Sequence, residues 1–248
     1  MAIYHLSLRM VQRSKGQSVV AVAADRARVL LHDRRLDRSF APLPAKRHIR
    51  PILSEILLPE SVPERWRDRE TFWNEVEERE RRRDSSLARE VEFALPAELS
   101  PAQAGALAHS YVRAAFVAAG MAADLNVFWP LSAEGQPKPY AQVLLTLRRA
   151  GPDGFGLKEA AWNDRSNLLR WRSLWAEMAN ACLARYGHAV RIDHRSHADR
   201  GIALEPQNKI GPNAARRARR AEPSERVQEH RAIRQRNREG RTTGRDPA

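Results

Sequence analysis

Two glutamates, Glu90 and Glu92, stand in a stretch where apolar and polar residues alternate. Read as a strand, it turns Val91, Phe93 and Leu95 one way and Glu90, Glu92 and Ala94 the other. Paired carboxylates of this kind, joined by a third acid such as Asp25, can hold Mg²⁺ in a nuclease. The plainer expectation is that strand-borne acids meet arginines or water. Tyr140 and Gln142 share one face of a later strand, expected over 139–149. Val143, Leu145 and Leu147 fall on its other face. A tyrosine such as Tyr140 or Tyr4 offers a phenolate nucleophile. Asp193, His194 and His197 could suggest a metal site. Histidines so spaced near a strand end, without a cysteine partner, more often make hydrogen bonds or touch phosphates.

Composition narrows these options. The chain has 248 residues, 42% of them hydrophobic, enough for one large domain or a domain with a tail. A net charge of +13 and a pI near 10.9 favour a polyanionic partner, nucleic acid first and an anionic membrane surface second. One cysteine, Cys182, excludes a disulfide within the chain and a cysteine-cluster zinc site; it reads as a small core residue. No signal peptide and no long apolar run is visible, so the expectation is a cytoplasmic protein with no membrane span.

The elements that must position these residues can be read in order. A first strand covers 3–11, and Arg13 and Lys15 sit in the polar loop after it. Ser18 caps an alanine- and valine-rich helix expected to run to about residue 31, with the Asp25-Arg26 pair inside it. Residues 33–50 read as an exposed connection and 50–58 as a strand. A helix over 64–84 points Trp66, Phe72, Trp73 and Val76 inward, and its charged end, 77–83, reads as a solvated face. The acidic strand follows at 88–95. Ser100-Pro101 opens a helix that Gly120 stops. Strands at 123–129 and 139–149 flank a proline-rich loop and suggest a hairpin. The cluster 151–156 is a compact turn and lacks the features of a phosphate loop. A long helix over 164–186 buries Trp171 and Trp175, and a short strand closes at 189–193. After Gly211 there are eleven arginines, five acidic residues and no aromatic residue. The expected division is therefore 1–211 and a basic tail, 212–248, flexible or helical. The fold class is α/β (α+β): a largely antiparallel sheet with packed helices.

Six segments in order resemble the MobA/MobL family of plasmid relaxases. They are Met1-Ala-Ile-Tyr-His-Leu-Ser7, Ser18-Val-Val-Ala-Val-Ala-Ala-Asp-Arg-Ala27, Ala88-Arg-Glu-Val-Glu-Phe-Ala-Leu-Pro96, Tyr140-Ala-Gln-Val-Leu-Leu-Thr-Leu-Arg148, Gly151-Pro-Asp-Gly-Phe-Gly156 and Asp193-His-Arg-Ser-His197. The last is followed by Gly201-Ile202 and Glu205-Pro206. The resemblance implies a relaxase-like, HUH-type fold. It also implies a metal, Mg or Mn, held by three histidines to polarise a scissile phosphate, and a tyrosine that attacks it.

This sequence departs from that pattern. Asp25 stands at the family's tyrosine position. Phe128, Tyr140 and Gln142 stand at the metal positions, and Lys209 at a further histidine. No metal or other cofactor is therefore expected. Residues retained from the acidic strand are Glu90 and Glu92. Arg9, Arg13, Lys15, Arg26, Arg148, Arg149, Arg191 and Arg195 fall near segments that build the family's DNA groove. The leading expectation is a DNA-binding protein of conjugative transfer that has lost nicking, with single-stranded or transfer-origin DNA and other relaxosome proteins as partners. Two alternatives stand beside it: a nuclease with a site rebuilt from Asp25, Glu90 and Glu92, with Tyr140 a weaker candidate, and a non-enzymatic interaction protein of a mobile element.

Overall fold

Alternation of apolar and polar residues builds the sheet against which the first part of the chain packs. The computed structural model describes residues 4–43, 49–196, 199–201, 205, 210, 212–220 and 222–243. Within the first of two compact units, residues 1–194, five strands form an antiparallel sheet. They are β1 (Leu6–Gln12), β4 (Pro51–Leu57), β5 (Ser86–Ala94), β6 (Ala123–Phe128) and β7 (Tyr140–Leu145), in the order β1-β5-β7-β6-β4. Two hairpins stand apart from it: β2 (Leu31–Asp33) with β3 (Arg38–Phe40), and β8 (Arg148–Gly151) with β9 (Gly154–Lys158). The helices are α1 (Val19–Ala27), α2 (Arg69–Arg79), α3 (Pro101–Ala115) and α4 (Arg165–Arg185).

The two sheet faces are unlike. One carries Val91, Phe93, Val143, Leu145, Leu125 and Val127 into a core shared with α3 and α4. Aromatic rings dominate it: Phe93 lies 4.5 Å and Tyr111 5.0 Å from Trp175, centroid to centroid. The Tyr111 hydroxyl donates to the Trp171 carbonyl at 3.0 Å. The other face is mostly polar, and α1 and α2 cover part of it. Val19, Val20, Ala23 and Ala24 of α1 join Phe72, Trp73 and Val76 of α2 over Leu144.

Caps act where sequence placed them. The Ser18 hydroxyl accepts the Ala21 N–H at 3.1 Å, and Ser100 with Gln103 forms a reciprocal capping box. Gly120, at φ 93°, ends the short turn after α3.

Several boundaries differ from expectation. α1 stops at Ala27 rather than near residue 31, because Arg28 turns left-handed at φ 58° and its N–H bonds back to the Ala24 carbonyl. The supposed connection 33–50 contributes to the β2–β3 hairpin. The helix over 64–84 is a short 3₁₀ turn followed by α2, restarted by Asp68, whose side chain accepts the Thr71 N–H. The strand over 139–149 ends at Leu145, since Thr146 bonds across to Ala122 and Arg148 enters the second hairpin. No strand forms at 189–193. There the Asn180 amide takes the place of a neighbouring strand, bonding both the N–H and the carbonyl of Ile192 at 2.8 Å.

The charged stretch 77–83 is solvated as expected at Glu78, Arg79, Arg81, Arg82 and Arg83, but not at Glu77 and Glu80. Glu77 is 1% and Glu80 7% exposed. Glu77 accepts Arg13 Nη2 at 2.6 Å, Arg35 Nε at 3.1 Å and the Val19 N–H at 2.7 Å. It thereby satisfies an orphan donor at the start of α1 and neutralises two guanidiniums. Glu80 holds Arg148 and Lys158, each at 2.8 Å.

The second unit, residues 195–248, contains α5 (Pro212–Arg219) and α6 (Glu225–Thr243). Glu205 is bonded there by Arg236 at 2.6 and 2.7 Å. The change in composition after Gly211 falls inside this unit. No described helix is long and apolar enough to cross a membrane.

Glu77→Ala is expected to destabilise the protein by about 3–5 kcal/mol, because it strands two partly buried cations and a helix N–H. Urea unfolding measures this directly. A loss under about 1 kcal/mol would show that the entry to α1 is held by other means.

Candidate functional site

The antiparallel register gathers the chemistry-bearing residues on the polar face. Arg9 pairs with Glu90, and Glu90 with Leu144, itself opposite Asp124. The next row places Ser7, Glu92, Gln142 and Asn126 side by side. The row after that places Ala94, Tyr140 and Phe128 together. Helix α1 lays Asp25 and Arg26 over this face and Arg28 at its end.

Two guanidiniums hold Glu90. Arg9 donates to its carboxylate at 2.6 and 3.0 Å, and Arg26 at 2.6 Å. Burial pushes the Glu90 carboxyl upward, but these hydrogen bonds and positive charges outweigh it and hold it below its ordinary value. Arg26 also bonds Asp25. Asp25 further accepts the Leu43 N–H at 3.3 Å and lies 3.6 Å from Arg28 Nη1. Arg26 therefore joins Asp25 to Glu90, and the acids are bridged by a cation rather than opened toward a common ligand.

Glu92 lies one row away, within the field of Arg9. It accepts Gln142 Nε2 at 3.0 Å and has His5 Nε2 at 3.8 Å. Deeper in the sheet, Asp124 accepts Arg69 Nε and Trp73 Nε1, both at 2.8 Å, and Asn126 Nδ2 at 2.9 Å.

At the upper end, Phe128 and Tyr140 stack with centroids 5.0 Å apart and planes 20° from parallel. The Arg28 guanidinium lies 4.8 Å from the Phe128 ring centre. Burial raises the Tyr140 hydroxyl above its ordinary range, although Arg28 pulls the other way. Tyr4 lies on the apolar side of the sheet, and burial pushes it up to about 12. The two candidate phenols thus occupy opposite faces, and neither has the lowered value of an activated nucleophile.

The basic residues are dispersed. Arg9 and Arg26 are on the polar face. Arg13 and Arg148 are drawn to Glu77 and Glu80. Lys15 is exposed in a turn. Arg149 stacks near Trp162 and bonds the Ala119 carbonyl, and Arg191 bonds the His188 and Val190 carbonyls. Arg195 is in the second unit. His194 is half-buried in irregular chain, while His197 and Lys209 lie outside the described residues. Among the described residues, no three His, Cys, Asp or Glu side chains form a metal-holding group.

The family model for MobA/MobL proteins matches residues 17–220. This chain belongs to the MobA/MobL family. Its similarity to the mobilization protein MobL of Acidithiobacillus ferridurans is 38% identity over 247 residues, 87% of this chain and 63% of that protein. The conjugal transfer protein TraA of Rhizobium radiobacter is 33% identical over 255 residues, 90% of this chain and 22% of its own. The chain spans less than two-thirds of the length of either relative. A solved structure described as the molecular basis of vancomycin resistance transfer in Staphylococcus aureus superposes with a TM-score of 0.71 at 29% identity, covering 79% of this chain and all of the other. The relaxase-like fold expected from the resemblance is the fold observed.

The metal that the resemblance implies does not fit the residues expected at its positions, Phe128, Tyr140 and Gln142. The three positions do converge, Phe128 beside Tyr140 and Gln142 one row below. Phe128 offers no donor atom, and the Gln142 amide spends its nitrogen on Glu92. A guanidinium already stands over the Phe128 ring. A divalent cation placed there would meet one carbonyl oxygen, one high-pKa phenol and a fixed positive charge.

Arg28 and Arg50 were not singled out in the sequence. The Asp25/Arg28 spacing is a usable signal for an ion pair, but a helix drawn through residue 31 hides the turn that aims Arg28 inward.

Glu90 has a depressed folded value, so its stabilisation is complete above the ordinary 4.5 and is lost as pH falls through the folded value. Glu90→Gln is expected to melt lower than wild type near neutrality. It should also lose less melting temperature than wild type between about pH 5 and pH 3. Parallel melting curves over that range would disprove the assignment.

Proposed function

We propose that this chain is a DNA-binding protein of plasmid mobilisation that does not nick DNA through a bound metal. It acts in the cytoplasm on single-stranded or transfer-origin DNA, alongside other proteins of the transfer complex. The observation that carries this reading is the Arg28, Phe128 and Tyr140 stack at the family's metal positions. It replaces metal-ligand chemistry with a buried cation and two stacked rings, which leaves no ligand set for a divalent ion.

Other features support it. The net charge of +13 favours a polyanion. The family relatives are named for mobilisation and conjugal transfer. The arginine-rich segment after Gly211 forms a basic region that adds phosphate contacts to those of the first unit. The competing carboxylate nuclease loses ground because Arg9 and Arg26 already neutralise Glu90, and Arg26 and Arg28 surround Asp25.

Supercoiled plasmid and single-stranded oligonucleotides carrying candidate transfer origins, incubated with Mg²⁺ or Mn²⁺, provide the test. The expected outcome is shifted but uncut DNA, with an affinity that falls steeply as salt rises. A cut strand, abolished by Asp25→Ala or Glu90→Ala, would establish the carboxylate nuclease instead.

A further inference from the structure

The second unit carries a helix whose charges are sorted by side. Successive residues of α6 turn by about 100° around its axis. Arg231, Arg234 and Arg238 therefore fall within one narrow arc, and all of them are exposed. Glu225, Glu229 and Glu239 fall on the opposite side, around Arg236. Arg236 is spent there. It bonds both Glu205 oxygens, at 2.6 and 2.7 Å, and Glu229 and Glu239 add to the field upon it.

No acid on the helix balances the arginine side. None stands three or four residues from Arg231, Arg234 or Arg238, so no pair along the helix can neutralise them. The ion pairs described in this unit lie elsewhere, from Arg217 and Arg220 to Glu222 and from Arg236 to Glu205. Arg231 precedes Arg234 by one turn, and Arg234 precedes Arg238 by another. Like charges at those spacings repel and weaken a helix. A row of negative charge laid along this side would relieve both repulsions.

The chemistry of α6 selects among polyanions. An anionic membrane surface needs an apolar side that enters lipid. The large apolar residues of α6, Val227 and Ile233, are both buried. Single-stranded DNA is held by rings on which its bases stack. Residues 187–248 contain no Phe, Trp or Tyr. Duplex DNA needs neither feature. It presents one phosphate per about 1.7 Å of axis, and its major groove, about 12 Å wide, admits an α-helix. From Arg231 to Arg238 the helix rises by about 10 Å, so the arginines span several phosphates.

We propose that α6 is a contact for double-stranded DNA, with Arg231, Arg234 and Arg238 set against its phosphates. The proposal rests on the DNA-binding reading above and deepens it, naming the form of DNA that this helix takes and the residues that take it. Sorting the acids to the far side keeps them away from the bound phosphates.

Fluorescence anisotropy with the 248-residue chain tests it on two labelled probes, a single-stranded oligonucleotide and the duplex of the same sequence. One variant combines Arg231→Gln, Arg234→Gln and Arg238→Gln. Glutamine is a good helix former, and circular dichroism checks that helix content persists. Duplex affinity should fall at least about tenfold and its salt slope by about 2.7, the loss of three phosphate contacts. Single-strand affinity should change by less than about threefold. Arg236→Gln, which removes a charge from the opposite side, should leave duplex binding within about twofold of wild type. Should the triple variant lose helicity, Arg234→Gln alone decides, with a slope lower by about 0.9. Duplex binding unchanged in the arginine-side variants overturns the proposal, as does an equal loss on both probes or an equal loss in Arg236→Gln. A triple variant that loses binding only to vesicles of phosphatidylserine and phosphatidylcholine also overturns it and assigns the helix to an anionic membrane. Wild-type binding to the single strand without binding to the duplex overturns the proposal alone. Absence of wild-type binding to either probe overturns the DNA-binding reading as well.

Discussion

A buried carboxylate clasped by two arginines organises the polar side of this protein. Glu90 is 2% exposed, and it draws Arg9 from the neighbouring strand and Arg26 from α1. Removing Glu90 would take a carboxylate from Arg26, whose side chain is 12% exposed, and removing Arg26 would leave Glu90 to the exposed Arg9 alone. The clasp therefore fixes how α1 crosses the sheet, and with it the positions of Asp25 and Arg28. Glu77 does a matching job at the other end of the helix, where it takes the first backbone N–H and two further guanidiniums. The small residues between these ends, Ala23 and Ala24, let the helix lie close to the sheet. Electrostatics sets the two ends of α1, and apolar packing fills the span between them.

The sheet divides labour between its faces. The side toward α3 and α4 is filled by interlocking rings and branched aliphatics, so it supplies stability. The side toward α1 keeps polar atoms in rows, each row shared across neighbouring strands. Because side chains alternate, Glu92, Gln142, Asp124 and Asn126 are each flanked by two residues of that core. The rows are therefore held in place by packing on the reverse side and can tolerate chemical change without loss of the scaffold. Phe128, Tyr140 and Gln142 sit in those rows on strands whose apolar positions form an unbroken core.

Local patterns were the most legible part of the sequence. Alternation exposed both faces of β5, and Ser18 and Ser100 marked helix starts that the structure keeps. Trp171 and Trp175 went to the core as their spacing indicates. What sequence could not show depends on distant partners. Glu77 and Glu80 look like a solvated face until Arg13, Arg35, Arg148 and Lys158 arrive from remote segments. The extended segment at 189–193 carries the pattern of a strand but finds the Asn180 side chain instead of a sheet edge. The stop at Arg28 lacks the glycine that usually announces one, so helix and site both looked different from their true form.

The stack of Phe128 under Arg28 and against Tyr140 has an evolutionary consequence. Its members are coupled, so substitutions there are not independent. A histidine at 128 alone would take the ring away from a buried cation, and one at 140 alone would break the stack. The three-histidine set that the resemblance implies would need a replacement at Gln142 as well as at both of these rings. A replacement at any one of Arg28, Phe128 and Tyr140 is therefore felt by the other two.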